Sequence, residues 1–241
     1  MLQLYQFPIS HFCEKARWAL EYKHLEYKKI NLLPGLHIKK ARKLSGKGHL
    51  PILVSNSKVI NESSKILDYL DAAYPNKQLT PEDEKLKNDA KMWEAFADQE
   101  LGPDVRGLCY NTLLDYPEIT IPFFATNGPW YSNLLLNYTF PKMSLKMREL
   151  MKLDDENVLL IKKRLTKAID KLYQHTQQHK YLVGDQFSRA DLAVAALLAP
   201  LCKPQKYGLE WPEEFPEPLR GTIEKFGNKL DWVDRIYIEH R

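Results

Sequence analysis

"LQLYQFPISHFCEKARWALEYKHLEYKKINL", residues 2–32, decides the fold. Residues 2–5 are short and apolar and end at Phe7-Pro8, which reads as a buried strand. From 13 to 24, Ala16, Trp18, Ala19 and Leu20 recur among Glu, Lys and Arg in a helical pattern. "EYKKINL", 26–32, alternates like a second strand. A strand, a helix and a strand in succession predict a parallel βαβ start. Between the first strand and the helix stands Ser10-x-x-Cys13. A serine there caps a helix by accepting a bond from an unpaired amide, and a lone cysteine is commonly a small buried hydrophobe. Either could instead meet a sulfur in a reaction.

Working outward, "LHIKKARKL" reads as a short basic helix or an irregular segment. "PILV", 51–54, and "KVI", 58–60, flank Asn56-Ser57 and predict a hairpin. "ESSKILDYLDAAY", 62–74, puts Ile66, Leu67, Leu70 and Ala73 on one helical face, with Asn61 as the expected cap. Residues 1–76 are thus expected to form an α/β domain. Beyond Pro75 and Pro81 strand signals almost vanish. Residues 82–101 read as a helix, 116–131 as a less regular stretch rich in proline and aromatics, and 154–178 as a long amphipathic helix. "SRADLAVAALLAPL", 188–201, opens on Ser188-x-x-Asp191, a relative of the capping box, and is apolar nearly all round. Residues 82–241 are expected to be an all-α helical bundle.

The 35 basic and 31 acidic residues leave a formal net charge of +4, too thin an excess to argue for nucleic acid. Basic residues are densest in "HIKKARKLSGKGH", 37–49, a patch suited to a small anion. The cysteines, at 13, 109 and 202, show neither a zinc spacing nor an even count, so no disulfide framework and no metal are expected. No charged segment followed by an apolar run opens the chain, which predicts no signal peptide. The longest apolar run, 192–201, is about half of what a bilayer span needs. The expected setting is the cytoplasm.

This order, with "ISHFCEKARWAL", "GHLPILV", "NESSKILDYL" and "VGDQFSRADLAVAALL" at their places, resembles the cytosolic glutathione transferases over nearly the whole chain. The most specific elements are Leu50-Pro51 ahead of a strand, Glu62-Ser63 opening a helix, and G-D-x-F-S-x-A-D at 184–191. The resemblance implies a thioredoxin-like, glutathione-binding domain, an all-α domain contributing the electrophile site, a homodimer, and detoxification by conjugation. Glutathione enters as co-substrate. In the family the proline follows a cis bond that aims the backbone of the residue before it, here Leu50, at the cysteinyl part of glutathione. Glu62 and Ser63 are implied at the γ-glutamyl end, where helix-start amides favour a carboxylate. His37 and His49 are implied at the glycine carboxylate, with Lys39 and Lys40 as possible substitutes.

Family members that use serine or cysteine place it four residues before an acid and seven before an arginine. Ser10, with Glu14 and Arg17, fits both spacings. Cys13 falls at the second position of a thioredoxin C-x-x-C, and Tyr5 lies near the phenol of tyrosine-type members. Ser10 is therefore the expected thiol-activating residue, with Cys13 and Tyr5 as runners-up. A glutathione-dependent thiol reductase or peroxidase, or a non-catalytic binder of hydrophobic ligands, shares the same likeness. The electrophile is expected between the domains, against Phe7, His11, Phe96, Arg106, Tyr110 and Trp211. Segment 116–150 is longer than a helical hairpin requires, and is expected to cover the site or to pad the dimer.

Overall fold

The computed structural model describes residues 1–241. Four strands, β1 (Leu2–Gln6), β2 (Tyr27–Asn31), β3 (Ile52–Ser55) and β4 (Lys58–Asn61), form one sheet in the order β2-β1-β3-β4. β1 pairs parallel with β2, Leu2 opposite Tyr27, because helix α1 (His11–Tyr22) crosses between them. β3 runs antiparallel to both β1 and β4, and Asn56 takes φ +52° in the turn that closes the hairpin. The basic segment is helical, α2 (His37–Ser45), and α3 (Ser63–Ala73) follows the sheet. The Leu50–Pro51 bond is cis.

All regular structure after the sheet is helical: α4 (Glu84–Phe96), α5 (Gly102–Leu113), α6 (Pro117–Ala125), α7 (Ser132–Met151), α8 (Asp155–Thr176), α9 (Arg189–Cys202), α10 (Leu219–Glu224) and α11 (Asp231–His240). One wide turn of π-helix, Ala97–Leu101, joins α4 to α5 without a break. α9 is buried along nearly its whole length and packs against α1, α4 and α11, so it is the axis of the core. Its start has the full capping box, with Asp191 accepting from the Ser188 amide at 2.9 Å. No helix is long and apolar enough to cross a membrane.

Two local expectations are corrected. The stretch 116–131 is helical over α6, because Pro117 sits in the first turn, where an amide has no partner anyway, and Pro122 removes one bond only. Asn61 does not cap α3. It ends β4, and its amide donates to the carbonyls of His49 and Pro51 at 3.0 and 3.1 Å, clamping the cis turn to the start of α3. The residue at the cap position is Glu62, which holds φ +81°.

Candidate active site

A cavity of about 420 Å³ opens where the sheet's C-terminal edge meets the helices. A second, of about 320 Å³, adjoins it, and Phe12, His49, Leu50 and Arg106 wall both. The larger is mostly apolar, with Phe7, Val105, Tyr110, Leu113, Phe123 and Trp211 among its walls. The smaller is polar, lined by Pro51, Glu62, Ser63, Ser64 and Asp98. Pro51, Glu62 and Ser63 thus come together beside the cis turn, while His37, His49 and Leu50 line the larger cavity with Ser10.

Ser10 caps α1: its Oγ accepts from the Cys13 amide at 3.3 Å. That bond uses a lone pair and leaves the hydroxyl hydrogen unspent, on a side chain that borders the larger cavity. Capping and donation to a ligand therefore use different parts of one hydroxyl. The loop carrying Ser10 is braced from behind. Arg17, buried, donates to Glu14 and Gln6 at 2.7 Å each and to the Pro8 carbonyl at 3.1 Å. Tyr207 donates to the Ile9 carbonyl at 2.7 Å, and Arg241, at the end of the chain, pairs with Glu14 at 2.8 Å.

Neither runner-up lines either of these two cavities. Cys13 is fully buried, accepts a long bond from the Phe7 amide at 3.5 Å, and has its thiol pushed up by burial despite Ser10 and Arg17. Desolvation outweighs the lowering that the start of a helix gives a thiol. Tyr5 packs with Ala41 and Ile52 under α2 and its hydroxyl donates to Gln3 at 3.3 Å. Phe96 is also corrected. Its ring turns toward α8, edge-on to Trp93 at 5.7 Å and under the Lys171 ammonium at 5.0 Å, away from the cavity walls. Phe7, His11, Arg106, Tyr110 and Trp211 do line the larger cavity.

His11 and His37 are neutral walls. Burial, with help from Arg106, lowers the His11 pKa to about 3, although its Nε2 lies 3.1 Å from the Gly102 carbonyl. Burial also lowers the His37 pKa, and its Nδ1 is buried without a partner. Gly102 has to be glycine, because a Cβ there would stand 2.7 Å from the Phe12 ring. That close approach lets Phe12 separate the two cavities.

Beneath the smaller cavity lies a buried ion cluster. Lys15, with no exposed surface, meets Glu94 at 2.7 Å, Asp98 at 2.8 Å and Ser64 at 2.9 Å. Arg189 meets Glu94 and Asp68 at 2.6 Å each. The π turn delivers Asp98 to this cluster. At the rim, Glu62 pairs with Lys47 and, at 3.1 Å, with Lys65. No group of three or more His, Cys, Asp or Glu is placed to hold a metal.

The descriptions "Glutathione S-transferase, N-terminal domain" and "Glutathione S-transferase, C-terminal domain" match residues 4–78 and 142–237. The chain belongs to the cytosolic glutathione transferase superfamily. Glutathione S-transferase 1 of Dianthus caryophyllus is 27% identical over 199 residues, 80% of this chain and 74% of that one. Protein LigF of Sphingobium sp. is 22% identical over 247 residues, covering 98% and 89%. The crystal structure of that protein, described as a beta-etherase, superposes with a TM-score of 0.66 at 18% identity over 100% and 99% of the two chains. A theta class glutathione S-transferase from Xanthomonas axonopodis pv. citri, with glutathione bound, gives 0.65 at 17% identity over 99% and 93%. At these identities the structural likenesses speak to the fold, a thioredoxin-like α/β part followed by helices.

Within this transferase fold several site residues escaped the sequence. Phe123 from α6 and Met147, Leu150 and Met151 from α7 wall the larger cavity, so segment 116–150 covers it. Phe215 and Cys109 do so too, the latter with its thiol pushed up to about 12 by burial.

Proposed function

We propose that the chain conjugates the glutathione thiolate to hydrophobic electrophiles, with Ser10 as the donor that holds the thiolate. The observation that carries this reading is the unspent Ser10 hydroxyl hydrogen on the wall of an apolar cavity that adjoins a polar one. Glutathione would lie along the smaller cavity, its γ-glutamyl end at Glu62 and Ser63 and its cysteine against the Leu50 backbone. His37 and His49 would receive its glycine carboxylate. The residues 1–76 would then form the glutathione side and 82–241 the electrophile side.

A free thiol titrates near pH 8.5, so lowering it by about two units requires roughly 2.7 kcal/mol of preference for the anion. One hydrogen bond to a charged group contributes about 1.5–3 kcal/mol, and the start of a helix about 0.3–1. Ser10 with the first turn of α1 is sufficient, and the thiol proton passes to solvent. The sulfur pair then forms the C–S bond while the leaving group departs with the pair of its own bond to that carbon. The kinship with the LigF beta-etherase extends the leaving groups to an ether oxygen, which would depart with its bonding pair and take up a proton from solvent.

The buried, raised thiol of Cys13 argues against disulfide exchange as the main reaction. Three unpaired cysteines suit the cytoplasm proposed for the protein. Self-association is supported by the outer face of α7, where Leu134 and Tyr138 are 75% and 87% exposed, next to Trp130 at 93%. Sedimentation should show twice the 28.2 kDa chain mass, and a clean single-chain species at micromolar concentration contradicts the homodimer. For the function itself the test is calorimetry. Ser63→Ala should weaken glutathione about tenfold to a hundredfold with the fold intact, and unchanged affinity removes glutathione from this place.

A further inference from the structure

We propose that the electrophile taken by the larger cavity is an aromatic acid, its anion held by Arg106. Arg106 is the only permanently charged side chain on the walls of that cavity, and no carboxylate faces it there. Every arginine of the chain is hydrogen-bonded or ion-paired except Arg42 and Arg106. Arg42 stands exposed on α2, whereas Arg106 borders both cavities. Its charge is felt inside, since it helps to hold His11 neutral against the same wall.

An unpaired guanidinium at the edge of an apolar space attracts a planar anion, which it can grip through two parallel N–H bonds. The neighbouring walls Tyr110, Trp211 and Phe215 supply flat surface for a ring. Glutathione does not require this cation. Under the reading above, on which this inference rests, its carboxylates go to the start of α3 and to His37 and His49. The acids of the smaller cavity are already met by Lys15, Lys47 and Lys65. Arg106 is the charge left over, and an electrophile with one carboxylate or sulfonate on an aromatic body answers it.

The test compares two probes that react with a thiolate by losing chloride: p-carboxy-chlorodinitrobenzene and its neutral carboxamide. For the unmodified protein and for Arg106→Met, kcat/KM is measured with each. The ratio of acid to amide should fall roughly tenfold to a hundredfold in Arg106→Met, through KM for the acid, and recover in part in Arg106→Lys. An unchanged ratio overturns the proposal, and so does a matching loss of glutathione affinity, which would assign Arg106 to glutathione. If neither probe is conjugated, the glutathione reading fails separately. Calorimetry with unreactive dinitrobenzoate and dinitrobenzamide still decides: tighter binding of the benzoate, lost in Arg106→Met, supports the anion site, and equal binding overturns it.

Discussion

Lys15 and Arg106 carry the same charge and border the same seam between sheet and helices, yet one is wholly committed and the other wholly free. Lys15 has no exposed surface and meets two carboxylates and a hydroxyl. Arg106 is exposed and bonds to nothing in the chain. A buried charge persists only where every neighbour answers it. The Lys15 cluster, with Glu94, Asp98 and Arg189, is therefore a clamp that joins α1, α3, α4 and α9. Arg106 can contribute little to that clamp, so its charge is available to a ligand. Rigidity and reactivity sit side by side here, and each can be broken without the other.

The largest effect is expected from breaking the clamp. Lys15→Met leaves Asp98 without its cation and Glu94 with Arg189 alone. Removing one partner of a buried ion pair costs about 3–5 kcal/mol, which urea denaturation would read as a lower midpoint at constant slope. Adding Asp98→Asn should recover part of the loss, because the orphaned charge goes with it. A loss below about 1 kcal/mol would mean that water reaches the cluster and the clamp is not structural.

Ser10→Ala comes next, on the reactive side of the comparison. Conjugation of a neutral aromatic electrophile should drop by about one to two orders of magnitude, at 1.36 kcal/mol per decade. The pKa of bound glutathione should rise, seen as lost thiolate absorbance near neutral pH. Stability should fall by about 1 kcal/mol, since the cap of α1 is removed as well. Cys13→Ala should barely alter conjugation, and Tyr5→Phe should match the unmodified protein. If Tyr5→Phe is inactive while Ser10→Ala is not, the serine only caps the helix.

His11 links the two regions through pH. Its pKa is about 3 in the fold against 6.5 unfolded, so between those values the unfolded chain binds the extra proton. Stability from this group is intact above pH 6.5 and is lost as pH falls toward 3, at about 1.4 kcal/mol per unit. Moving from pH 7 to pH 5 should remove about 2 kcal/mol. His11→Gln should flatten that part of the profile, and an equal slope in the variant would show that other groups carry it.

What was legible beforehand was what lies close in sequence. The βαβ start, the 51–60 hairpin, the Leu50-Pro51 turn and the capping box at Ser188 each depend on neighbours within a few residues. Ser10 as the cap of α1 was legible for the same reason. Asn61 misled because a polar residue before a helix suits a cap, and only the fold shows its amide spent on the 49–51 turn. Phe96 misled because the face a helix presents depends on what packs against it, here α8 rather than α1. Tyr207 and Arg241 brace the Ser10 loop from the far end of the chain, and no spacing announces such a contact. The clamp was hidden likewise: Lys15, Glu94 and Arg189 look like ordinary helix-surface charges until the helices meet.

The smallest effect is expected at Arg106. Arg106 is exposed, makes no bond in the fold, and lies inside α5, where methionine has nearly the same helix propensity. Arg106→Met should therefore change the unfolding free energy at pH 7 by no more than about 0.5 kcal/mol. At pH 5 the difference between the two proteins should be equally small. Burial, the larger cause of the lowered His11 pKa, stays in place when the cation beside it is lost, so the folded histidine still binds no proton at pH 5 and the loss between pH 7 and pH 5 is the same in both proteins. Denaturation curves of both proteins at the two pH values settle it. A variant weakened at pH 7 by as much as Lys15→Met would place Arg106 in the clamp and leave the cavity without its free charge.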